Sequence, residues 1–117
     1  MREIIFRGKT VCDGDWVYGG ITWNPSRKKV FIHTKWDEDE VVPETVGQYT
    51  GLTDKNDTKI FEGDIVKVEN ALVKGIFAVE YMTMIASFIV SRGGRYFLGG
   101  CNSEVVGNVF DNPELLK

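Results

Sequence analysis

The residues able to do chemistry are few and scattered. His33 is the only histidine in the chain, so any site needing two imidazoles is excluded, including the zinc pattern of paired histidines on one helix face. Its neighbours Val30, Phe31 and Ile32 are apolar, and no adjacent nucleophile or orienting carboxylate accompanies it, so it reads as a strand side chain rather than a general base. Glu62 and Asp64 flank Gly63, and side chains two apart share a face of an extended chain, the arrangement of a carboxylate pair for metal or acid-base work. A Gly-Asp step ahead of an apolar strand has a simpler use, however, as a turn whose aspartate oxygen accepts nearby backbone N–H groups. Asp54-Lys55-Asn56-Asp57 lacks the sixth-position glycine and twelfth-position glutamate of a calcium loop. Gly93, Gly94, Gly99 and Gly100 lack the lysine ending and the following helix of a phosphate-binding loop. Cys12 and Cys101 form no metal-binding pair, and in a reducing cytosol both are expected as free thiols. No catalytic residue, metal or cofactor is expected.

Binding chemistry has better candidates. Arg27-Lys28-Lys29, with Arg92 and Arg95, is the one positive cluster, and Trp23 and Tyr96 lie near it in sequence as platforms on which bases stack. Charge runs in turns are more often simply solvated. Trp16, Tyr18, Trp36 and Tyr49 are large aromatics suited either to a core or to a protein interface. The formal charge of −3 and the pI near 5.1 give no long-range attraction to a phosphate backbone.

These residues need elements to hold them, and the sequence supplies mostly strands. Thirteen glycines against three prolines point to many tight turns. Ile4–Arg7 and Trp16–Gly19 read as a hairpin around Asp13-Gly14. Asn24-Pro25-Ser26 is the next turn, and Val30–His33 the next strand. The acidic run Asp37–Glu40 reads as a solvated loop, and Thr50–Thr58 as a surface loop rich in turn formers. Gly63–Val68 and Ile76–Tyr81 alternate as strands, the first half-buried with Val66 and Val68 on one face and Ile65 and Lys67 on the other. Met84–Ser91 and Tyr96–Leu98 flank a Gly93-Gly94 hairpin, and Glu104–Phe110 is the last strand. Asn112, Pro113 and Glu114 are placed to cap and start one short terminal helix.

A length of 117 residues and 43% hydrophobic content suit one domain with its own core. The opening residues do not resemble a secretory signal, and no apolar run reaches spanning length, so a cytoplasmic location without membrane contact is expected. Short strands without crossover helices predict an all-β, β-dominated fold, a small barrel or roll.

Four stretches read in order carry a resemblance: MREIIFRG at Met1–Gly8, DWVYG at Asp15–Gly19, PETVGQYTGLTDKNDTKIFEGDIV at Pro43–Val66 and EVVGNVFDNPELL at Glu104–Leu116. Together they resemble the YopX-like family of uncharacterised bacteriophage and prophage proteins. The resemblance implies an SH3-like barrel component, preceded by an N-terminal β-hairpin extension. The chain is then one YopX-like domain over 1–117, with an N-terminal β part over about 1–45 and a barrel-like part over about 46–117. It implies a phage context and carries no catalytic or ligand-binding residues to transfer. Ile5 stands where many members are basic, and Asp57 where many have glycine. The expected function is that of a non-enzymatic accessory protein in the bacterial cytoplasm, binding another protein or itself as a homo-oligomer. The alternative is a small-barrel nucleic-acid-binding protein that uses the basic turns.

Overall fold

Thr10 and Gly14 organise the first turn. Gly14 takes φ +72°, a conformation that favours glycine, while the Thr10 hydroxyl accepts the N–H groups of Asp13 at 3.2 Å and Asp15 at 3.3 Å. The turn joins β1 (Phe6–Lys9) to β2 (Trp16–Asn24), paired antiparallel with Arg7 opposite Tyr18 and Lys9 opposite Trp16. The predicted hairpin is present, but β1 starts at Phe6 and leaves Ile4 70% exposed, and β2 continues five residues past Gly19 to Asn24. The computed structural model describes residues 3–69, 74–82, 87–91, 95–97 (backbone alone) and 102–117. Gly93-Gly94, Gly99, Gly100, Arg92 and Cys101 lie outside the described residues, as do the side chains of Arg95 and Tyr96.

The chain divides into two compact units, Met1–Tyr49 and Thr50–Lys117. In the first, β2 pairs with β3 (Lys29–His33) and β3 with β4 (Glu38–Val41), both antiparallel. Gly19 permits the close pass of β3, since a Cβ there would run into the backbone carbonyl of His33, its carbon at 3.0 Å. The acidic run is therefore not a loop: Glu38–Val41 is a strand. Its register with β3 puts Val41 beside Val30 in the core, Lys29 reaches Glu40 at 3.5 Å, and the C-terminal end of β4 bonds back to the end of β1. There Val11 N–H donates to the Glu40 carbonyl at 3.0 Å and Val42 N–H to the Lys9 carbonyl at 2.8 Å. The strands of this unit thus curl around Val30, Ile32 and Val41, against which Phe6, Val17 and Val46 pack.

β5 (Gly47–Thr53) begins beside β1 and continues past Tyr49 to pair with β6 (Lys59–Phe61). The first four of the nine residues of the predicted surface loop Thr50–Thr58 are thereby strand. Thr50 is 5% exposed and its hydroxyl donates to the Ile60 carbonyl at 2.8 Å, a pairing no count of turn formers would reveal. The second unit's main sheet has the antiparallel order β10-β9-β8-β7-β11, with β7 Asp64–Glu69, β8 Lys74–Met82, β9 Ser87–Ser91, β10 Arg95–Phe97 and β11 Ser103–Asn108. Ile60, Val66, Val68, Phe77, Val79 and Val90 form its core. The alternation predicts a half-buried β7, yet Ile65, on the opposite face from Val66, is also fully covered, and only Lys67 and Glu69 emerge. The terminal helix is a single 3-10 turn, Pro113–Leu116. Asn112 precedes it without a side-chain capping bond, because its Oδ1 accepts the Asn108 N–H at 3.3 Å instead. The fold is β-dominated with antiparallel sheets, and among the described residues no helix is long and apolar enough to cross a membrane.

Candidate functional site

The β2–β3–β4 meander gathers more of the candidate residues than any other element. At one end, the turn after Asn24 is tied by the Asn24 side chain, whose Oδ1 accepts the Ser26 hydroxyl at 2.9 Å and the Arg27 N–H at 3.2 Å. Lys28 sits there at φ +54°. Arg27 and Lys28 are exposed, Lys29 reaches from β3 to Glu40 on β4, and Trp23 on β2 is 53% exposed, with Ile21 two residues before it at 36%. In the β2–β3 register Trp23 stands opposite Val30, the residue that follows the basic run.

At the other end, Thr34–Asp37 joins β3 to β4. Thr34 N–H donates to the Asp37 carbonyl at 2.8 Å, and its hydroxyl accepts the N–H groups of Asp37 at 3.1 Å and Trp36 at 3.4 Å. Trp36 is held at this tip 82% exposed, with the Lys35 ammonium 5.1 Å from its ring centroid. Asp37 and Glu38 are exposed beside it. A fixed backbone and a large uncovered indole are the properties of an interface anchor, since little ordering entropy remains to be lost on docking.

The other candidates have different surroundings. Trp16 is half-buried, with the Arg7 guanidinium carbon 4.6 Å and the Lys9 ammonium 5.6 Å from its ring centroid, geometry suited to cation–π attraction. Tyr18 is 48% exposed, whereas Tyr49 is 7% exposed and belongs to the interior. Arg95 lies on β10, opposite Ser91. His33 faces outward opposite Glu38, its ring over Gly20. Asp64 serves as turn chemistry predicts: its Oδ2 accepts the buried Phe61 N–H at 2.7 Å. Cys12 is a free, exposed thiol. Among the described residues no three or more His, Cys, Asp or Glu side chains come together as metal ligands.

The residue that sequence reasoning passed over is Asp54, weighed only as part of a calcium loop. It is 8% exposed, and its Oδ1 accepts the N–H groups of Asn56 at 2.8 Å and Thr58 at 2.9 Å while Oδ2 accepts that of Val105 at 2.9 Å. Burial alone would raise its pKa, but the Val105, Thr58 and Asn56 N–H groups, helped by the Lys55 ammonium, outweigh burial and hold the carboxyl below its ordinary value. Its role is structural: it clips the 54–58 turn to β11. The Asp-x-Asn-x-Thr spacing is an Asx-turn signal, though its partner on β11 is out of reach of any local pattern.

Set beside known proteins, residues 18–117 match the family described as YopX protein. Among solved structures, the crystal structure of protein EF1440 from Enterococcus faecalis is similar with a TM-score of 0.58 at 19% identity, over 100% of both chains. That likeness speaks for the fold alone. No curated protein matches.

Proposed function

This chain belongs to the YopX protein family, and from that premise we propose that it is a phage- or prophage-encoded accessory protein, a non-enzymatic module in the bacterial cytoplasm that works by binding protein, its own copies first. The observation that carries this reading is the pair of tryptophans on one ordered meander, Trp23 at 53% and Trp36 at 82% exposure. Indoles contribute large apolar area and are over-represented among the residues that dominate protein interfaces. Two of the carboxylates weighed for metal or acid-base work favour the same view: Asp64 is spent on the Phe61 N–H and Asp54 on the turn and β11. Light scattering across a micromolar concentration series tests the reading. A mass that rises with concentration supports it, and a monomeric mass throughout overturns self-association.

Nucleic-acid binding is a second reading, favoured by Trp23 standing next to the exposed Arg27 and Lys28. Against it, Lys29 is engaged by Glu40, and β4 lines Asp39 and Glu40 along the same meander, where they repel phosphates.

A further inference from the structure

The two turns of the meander are chemical complements of each other. The β2–β3 turn presents Arg27 and Lys28 beside the apolar pair Ile21 and Trp23, while the β3–β4 turn presents Trp36 beside Asp37 and Glu38. Lys35 is the one cation at the second turn, stacked over the Trp36 ring at 5.1 Å. With five residues in β3 and roughly 3.3 Å of rise per residue, the two ends stand roughly 15–20 Å apart. They cannot meet within one meander, because the same strand holds them at opposite ends.

We propose that they meet between copies: the Trp36–Asp37–Glu38 tip of one chain docks on the Ile21–Trp23 patch of a second, with Arg27 and Lys28 of that second chain beside the carboxylates. Two meanders laid antiparallel about a two-fold axis make this contact twice, so the assembly closes on itself rather than growing into a filament. This rests on the self-association reading above and names its surface. Trp23 and Trp36 from both copies are four indoles, and at about 150–250 Å² each, scaled by the 53% and 82% that stand exposed, they supply roughly 400–700 Å². Ile21 and the polar rim bring the total toward the lower limit of a specific interface, near 1,000–1,200 Å². Such an interface is micromolar and leans on its charges, so it weakens as salt rises.

The experiment is a charge swap read by sedimentation velocity at low salt, with circular dichroism to establish that each variant is folded. The double variant R27E/K28E carries acid at both ends, and D37K/E38K carries base at both ends. Each alone is expected to dimerise at least tenfold more weakly than the unmodified chain. An equimolar mixture of the two is expected to regain the dimer, because both contacts of the mixed pair are again opposite in sign. Trp36→Ser, which removes the anchor but no charge, is expected to weaken the dimer at least tenfold. A dimer that ignores all these variants overturns the surface while leaving self-association standing. A mixture no tighter than its separate components also overturns the surface. An unmodified chain that is monomeric at every concentration overturns both the surface and the reading beneath it, as would micromolar capture of single-stranded oligonucleotide by the Trp23 patch in a chain that does not pair.

Discussion

Replacing Asp54 by alanine removes the acceptor of three backbone N–H groups at once. The groups are not equivalent. Asn56 and Thr58 belong to an exposed turn, so water reaches their N–H groups and each loss is worth about 0.5–1 kcal/mol. Val105 packs against the second core and its N–H points away from β7 to a carboxylate itself only 8% exposed; stranding that donor costs about 1–3 kcal/mol. The sum is about 2–5 kcal/mol for Asp54→Ala. Asp54→Asn keeps an oxygen for the turn but offers Val105 either a second donor or nothing, so it falls between, at about 1–2 kcal/mol. The pH dependence has a definite sign. A carboxyl held below its ordinary 3.8 contributes stability that is present above that value and is lost as pH falls through the lower folded value. The acid side of the stability curve should therefore flatten in Asp54→Asn. Urea unfolding at neutral pH reads the midpoint, and an unchanged slope shows that stability and not denatured-state compactness has moved. A cost below about 0.5 kcal/mol for Asp54→Ala would refute the assignment of Asp54 as the clip between turn and β11.

Three further outcomes are expected. Gly19→Ala should destabilise more than Gly20→Ala, because the new Cβ meets the backbone carbonyl of His33 at position 19 but only the exposed His33 ring at position 20; about 2 kcal/mol against under about 1 kcal/mol is the expected contrast in urea unfolding, and equal costs would contradict it. Asp57→Gly should stabilise by about 0.5 kcal/mol in the same assay, since Asp57 sits at φ +66°, where a Cβ is strained and glycine is not. Fluorescence anisotropy should find nucleic-acid affinity weak and steeply salt-dependent; submicromolar affinity at physiological salt would displace protein binding as the leading function.

Where the sequence could be read correctly, a local cause was sufficient. Asp13-Gly14 makes a turn because Gly14 takes a positive φ, and Asp64 caps its own turn because Phe61 is three residues away. The resemblance carried by the central block is likewise matched by the family over residues 18–117, and it singled out Asp57 as a glycine-type position, where the backbone is indeed left-handed. The misreadings share the opposite cause. Asp37–Glu40 has the composition of a loop, yet β4 forms because Val41 is drawn into the core and Lys29 answers Glu40. Thr50–Thr53 has little apolar content, yet it is strand because Ile60 supplies the partner for Thr50. In each case the deciding contact lies ten or more residues away, and strand formation depends on the cross-strand neighbour more than on the strand's own residues. The meander follows the same logic. Trp23, Arg27, Trp36 and Asp37 were each visible as residues, but their sorting into a basic end and an acidic end required the register of β2, β3 and β4. That register makes one strand a rod with opposite charges and an indole at either tip, a shape that a second copy turned end for end can satisfy and a single copy cannot.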